Sequence, residues 1–173
     1  MSSKINLQTC EYACKSSIFQ DNQLISLEIR KVDNDTELAE KLLDFVENFS
    51  WEEVKEHTVM MIKNWRFTDW ETMFAAIADG TIVGMASFMK TDYYPLPEIY
   101  PWISTIFVSE EYRGHRISQR LIDFANDYAK ACGFDVTYIP SEHVGLYEKF
   151  GYSYVKDIVN YGNGADRLYF KRI

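Results

Sequence analysis

Arg113, His115, Arg116 and Arg120 crowd into one short stretch of a chain whose formal net charge is −8. Before them runs WISTIFV, apolar and β-branched; after them comes ISQRLIDFANDYAKAC, with Ile117, Leu121, Ile122, Ala125, Tyr128, Ala129 and Cys132 on one helical face. The spacing therefore predicts a strand, a charged turn around Gly114, and a helix opening near Ser118. Cationic side chains at a helix N-terminus oppose its dipole and are mildly unfavourable there. A bound polyanion removes that conflict, because the exposed N–H groups of the first turn also point at it. The chemistry this pattern suits is phosphate holding; the plainer alternative is a solvated helix start with ordinary charges.

The elements around the turn are read from period and punctuation. SLEIRKV from Ser26 alternates as a half-buried strand. A helix follows over TELAEKLLDFVENF, with Asn34 or Asp35 as its cap, and a second over WEEVKEHTVMMIKNW, with Ser50 opening a capping box. Two β runs flank Asp79-Gly80, a hairpin signal, and Gly84 in the second run marks a bulge or a close backbone approach. YYPLPEIYP reads as a loop into the WISTIFV strand. After the long helix come the strand DVTYIP, a short helix SEHVGLYEKFG, and two strands, YSYVKDIV and DRLYFKRI.

This order predicts an α/β (α+β) fold with a mixed, mostly antiparallel sheet of about six to seven strands flanked by helices. Residues 1–24 show no clear period and are left as an extension of a single domain spanning 1–173. A doubly wound dinucleotide fold is excluded by the hairpin-joined strands and the lack of G-x-G-x-x-G, and phosphoryl transfer by the lack of a Walker A loop.

Composition narrows the partners. An acidic pI near 4.9 argues against nucleic acid and anionic membranes and mildly favours a cationic acceptor such as an amine. No apolar run is long enough to span a bilayer, and the N-terminal segment lacks the core of a secretory signal. Cys10, Cys14 and Cys132 lack the spacing of a zinc site, so no metal is expected and the thiols read as reduced, in a cytoplasmic protein.

From about Ile29 to its end the chain resembles the GNAT superfamily of N-acetyltransferases. ADGTIVGMASF is similar to that family's second and third strands, WISTIFVSEEYRGHRISQRLI to its acetyl-CoA signature, GLYEKFGY to its late helix, and RLYFKRI to its closing strand. Arg116 stands where the signature has Gly, and Ser118 where it has Gly or Ala. A helix-like backbone at 116 would accommodate the arginine.

The resemblance implies acetyl-CoA as co-substrate, its pyrophosphate on Arg113, Gly114, His115, Arg116, Ile117 and Ser118, and its pantetheine arm paired with the backbone of Ile106, Phe107 and Val108 as an added strand. It implies Tyr147 as the proton donor to the departing thiolate. Direct attack by an amine needs no covalent enzyme intermediate. The base stays open: Ser104 occupies the strand position where a Glu is common, leaving Glu98, His143, Glu142 or a water chain held by Ser104. Trp65, Tyr93, Tyr94, Tyr100 and Trp102 are expected to line the acceptor pocket. The acceptor is a small amine, an antibiotic-like amine or a protein amino group, and homodimers are common among such proteins. A non-catalytic acyl-CoA-binding or sensing module is the alternative.

Overall fold

The computed structural model describes residues 13–173. Eleven regular elements follow one another: β1 (Ala13–Gln20), β2 (Gln23–Val32), α1 (Glu37–Asn48), α2 (Glu52–Asn64), β3 (Thr72–Ala78), β4 (Thr81–Met89), β5 (Trp102–Val108), α3 (Ile117–Ala131), β6 (Val136–Ser141), β7 (Ser153–Val159) and β8 (Ala165–Arg172). Short 3-10 turns lie at Glu110–Tyr112 and Tyr147–Phe150.

The strands form one sheet in the order β1-β2-β3-β4-β5-β6-β8-β7. Every neighbouring pair is antiparallel except β5 and β6. The sheet has one strand more than the sequence suggested, because part of the stretch left without an element forms β1 and pairs with β2 along its length. Five of the eight β1 residues run consecutively exposed, so no alternation advertises this edge strand.

Helices cover both faces. On one, α3 buries Leu121, Ile122, Ala125 and Tyr128 against Phe74, Phe88 and Ile103. On the other, α1 and α2 bury Leu42, Val46 and Ile62 against Met73, Met85 and Phe107. Each fully buried large apolar side chain contributes about 1.5–3 kcal/mol, so these two layers fix the sheet between them. A smaller cluster of Trp102, Ile158 and Leu168 sits beside Tyr94, Leu96, Ile99 and Tyr138.

The local signals hold at the hairpin, while the helix read over SEHVGLYEKFG is only the 3-10 turn Tyr147–Phe150 and two helix caps differ. Asp79 and Gly80, both at positive φ, make the tight turn between β3 and β4. The cap of α1, however, is Thr36 rather than Asn34 or Asp35: its hydroxyl accepts from the Ala39 N–H at 3.2 Å and donates to the Asp33 carbonyl at 2.7 Å. Ser50 does not cap α2. Its hydroxyl donates to Glu110 at 2.6 Å, and Trp51 takes the cap position without a side-chain bond. A carboxylate distant in sequence here outcompetes the local backbone donor.

Candidate active site

The parallel partners β5 and β6 touch in register only at Trp102 and Tyr138, where the Tyr138 N–H donates to the Pro101 carbonyl at 3.0 Å. Beyond that point they diverge, and the β6-facing edge of β5 has no strand against it. Backbone polar groups along such an edge need a partner, which water or an extended ligand can supply. Thr105, at φ 48°, sits in the middle of β5, and the register with β4 shifts between Met85 and Ser87. Ile103, Ile106 and Val108 face the α3 layer, whereas Phe107 faces α1 and α2. Ser104 shares the Phe107 face, since it lies opposite Ser87, between Met85 and Met89. Phe107 lies three positions beyond Ser104, a step that regular alternation cannot take without changing face. The bulge at Thr105 absorbs the extra residue and bends the strand at the mouth of the opening.

At the far end of β5 the chain makes the 3-10 turn, then passes through Gly114 and Arg116 into α3. Arg116 has φ 59° and ψ 26° and caps the helix without a side-chain bond. This corrects the helix-like backbone expected at 116: the arginine occupies the left-handed region that glycine favours, at a cost of about 1–2 kcal/mol. Arg116→Gly is therefore expected to raise stability by about 0.5–1 kcal/mol after the entropy of an added glycine is subtracted, measured by urea unfolding. An unfolding midpoint below wild type would show that the arginine makes a compensating contact.

With no side chain capping α3, its first N–H groups remain available to an anion. The arginines are more dispersed than their spacing implied. Arg113 reaches back to the Val108 carbonyl at 3.2 Å and pairs with Glu110 at 2.8 Å. Arg120 turns away to β1, donating to the Ser16 hydroxyl at 2.7 Å and the Ser17 carbonyl at 3.2 Å. His115 and Ser118 are half-buried and Arg116 is exposed. The turn thus offers backbone N–H groups first, and among the described residues Arg116 makes no such side-chain bond.

Tyr147 opens the 3-10 turn that follows β6 and is 6% exposed. Its ring packs against Tyr169 at 5.4 Å and Phe150 at 6.2 Å, and its hydroxyl is set against Ser141 at the end of β6. Burial pushes its pKa above the usual phenol value, with Ser141 acting in the opposite sense. It therefore keeps its proton at neutral pH, the state a proton donor needs. His143 lies in the same connection but is exposed; its N–H donates to the Ser141 hydroxyl at 3.2 Å and its carbonyl accepts from Tyr169 at 2.6 Å. Glu98 is exposed in the loop before β5.

Sequence reasoning missed Asp92. It stands just past β4, half-buried with its carboxyl turned inward toward Ser104. Ser104 shares a hydrogen bond with Ser87 at 2.9 Å. The carboxylate that the strand lacks at 104 is thus brought to 104 by a loop. Its one trace in the sequence is an aspartate directly before the Tyr93-Tyr94 pair.

The model of the acetyltransferase (GNAT) family matches residues 36–152. The chain belongs to the GNAT acetyltransferase family. No curated protein matches it by sequence. Among solved structures, the GNAT domain of S. lividans PAT aligns with a TM-score of 0.69 at 13% identity, covering 94% of this chain and 97% of that one. The aminoglycoside 6'-N-acetyltransferase from Enterococcus faecium aligns with a TM-score of 0.65 at 16% identity, covering 83% and 96%. An aminoglycoside 6'-N-acetyltransferase complexed with coenzyme A aligns at 0.62 and 16%, with the same coverages.

Within this GNAT enzyme the expected acceptor aromatics do not form one pocket. Tyr94 stacks on Trp102 at 5.6 Å, and Tyr93 meets Tyr161 at 5.8 Å, both beside Asp92. Trp65 instead packs on Phe67 at 4.6 Å, and Tyr100 contacts Trp70 and Phe134 on the α3 side. Among the described residues no cluster of His, Cys, Asp and Glu could hold a metal, and no helix is long and apolar enough to cross a membrane. Cys14 and Cys132 are free thiols; Cys10 lies outside the described residues.

Proposed function

We propose that this GNAT enzyme uses acetyl-CoA to acetylate a primary amine by direct attack on the thioester. The observation that carries this reading is the β5–β6 opening, between the strand that runs on to the uncapped start of α3 and the strand that runs on to the buried Tyr147. The N–H groups of the turn from Arg113 to Ser118, including Gly114, His115, Arg116 and Ile117, would hold the pyrophosphate. The backbone of Ile106, Phe107 and Val108 would receive the pantetheine arm as an added strand. Acetyl-CoA supplies the thioester carbonyl and a thiolate leaving group. Tyr147 holds its proton at the phenol oxygen and gives it to the departing sulfur. Of the base candidates the sequence left open, Glu98, Glu142 and His143 are all exposed.

The acceptor is a small amine or a protein amino group, drawn by the acidic chain, with nucleic acid and membranes outside its range of partners. The reading is completed by a single domain over 1–173, a cytoplasmic site of action and a homodimer. The test is a thermal-shift titration with acetyl-CoA followed by thiol release over kanamycin, spermidine, tyramine and a lysine-containing peptide. At 100-fold saturation, stabilisation of about 2.7 kcal/mol is expected, together with amine-dependent release of CoA. Stabilisation without release from any amine would favour the binding-module alternative; no stabilisation would defeat both.

A further inference from the structure

Asp92 is held in place from several sides. Its carboxylate accepts from the Tyr93 N–H at 2.6 Å. The next residue, Tyr94, donates its hydroxyl to Asp166 of β8 at 2.7 Å and stacks on the fully buried Trp102. The Tyr161 N–H, in the turn between β7 and β8, donates to the Tyr93 carbonyl at 3.1 Å. That turn is itself closed by Asn160, whose side-chain oxygen accepts from Gly162 and Gly164 at 2.9 Å each. Loop and hairpin together form a wall that sets one carboxylate against Ser104, next to the bulge at Thr105. Among the described residues no Lys or Arg pairs with it. A desolvated carboxylate with no Lys or Arg partner costs stability, and groups of this kind cluster at functional sites.

Resting on the acetyl-transfer reading above, we infer that Asp92 is the group that takes the proton from the incoming ammonium, with Ser104 positioning its carboxylate. The ammonium gives one proton to Asp92, which later returns it to solvent. The N–C bond then forms as the C–S bond breaks. Tyr147 gives its proton to the sulfur, and the second proton lost by nitrogen restores Tyr147. Among the described residues no Lys or Arg pairs with Asp92, and His57 of α2 acts on it by charge alone, which leaves the carboxylate's hydrogen-bonding capacity to the charge of the acceptor.

The groups facing Asp92 set when it can act. Burial raises its pKa most, Ser104 of β5 and the Tyr93 N–H lower it, His57 of α2 lowers it, and Asp166 of β8 raises it. Tyr94 of its own loop faces it as a neutral phenol, its pKa raised by burial and by Asp166. The protonated fraction of a carboxyl so placed falls as pH rises through a value above the ordinary aspartate range, and activity should climb as pH rises through the same range.

The test is the pH dependence of kcat with the fastest of the four amine probes, alongside the acetyl-CoA thermal shift. Asp92→Asn should lower kcat about 100-fold at pH 7. Its profile should lose the wild-type acidic limb and rise instead into the alkaline range, where the amine deprotonates unaided. The acetyl-CoA shift should be unchanged. Ser104→Ala removes a bond that favours the charged form, so its acidic limb should move to higher pH. A wild-type profile in Asp92→Asn overturns the assignment, and so does an unmoved limb in Ser104→Ala, the deciding variant where Asp92→Asn fails to fold. Absence of CoA release from the wild-type enzyme with every probe overturns the acetyl-transfer reading, and this assignment with it.

Discussion

Tyr147→Phe is expected to lower kcat about 100-fold and to leave the acetyl-CoA thermal shift where it was. The substitution removes one oxygen and keeps the ring, so the contacts with Tyr169, Phe150 and Tyr152 persist. Loss of the hydroxyl leaves Ser141 one partner short, worth about 1 kcal/mol at most, since Ser141 is only half-buried and open to water. A purely structural tyrosine would therefore show a small fall in stability and no change in turnover. A proton donor would show the reverse, with kcat and kcat/KM falling together, because the interaction is made only as the thiolate departs. The pH dependence adds a sign. Burial raises the Tyr147 pKa, so the donor stays protonated past the point where an exposed phenol ionises. Wild-type kcat should then show no basic limb below pH 10. An unchanged kcat in Tyr147→Phe removes this residue from the mechanism.

What the sequence carried about this site, and what it did not, divides by the range of the forces involved. The hairpin at Asp79-Gly80, the amphipathic face of α3 and the strand before it are set by local chain preferences, and each is plain in the residues. The β5–β6 opening is one step less local, yet the strand–turn–helix order implies it. Asp92 was missed because nothing near it in sequence fixes its position. It is brought over Ser104 by Tyr93, Tyr94 and a hairpin some seventy residues on, around Asp166. The arginine cluster misled for a related reason. Arg113 and Arg120 are neighbours in sequence, but one is drawn to Glu110 and the other to β1, a strand with no periodic signal. Arg116 carried the opposite lesson. The family pattern has glycine there for a backbone reason, and the arginine adopts the same left-handed backbone rather than escaping it.

Gly84→Ala is expected to destabilise the fold by about 1–3 kcal/mol and to weaken acetyl-CoA binding in the same protein. A Cβ at 84 would lie 2.9 Å from the Phe107 carbonyl oxygen and 3.3 Å from the Val108 side chain. The first contact is with backbone, which cannot swing aside as a flexible side chain can. Either β4 retreats, disturbing Ala76 beyond it at 3.6 Å, or β5 is pushed toward the opening. The second movement shifts the residues proposed to receive the pantetheine arm, because Gly84 pairs with Val108 and Met85 with Phe107. Strain in the sheet and loss of the ligand are thus coupled through one atom. Urea unfolding with and without acetyl-CoA separates them: the variant should have a lower midpoint alone and gain less than the wild type on adding ligand. A variant that loses stability but gains the full ligand increment would place the cofactor away from Phe107 and Val108. One that keeps its midpoint would mean that β4 and β5 are not packed this closely at Gly84.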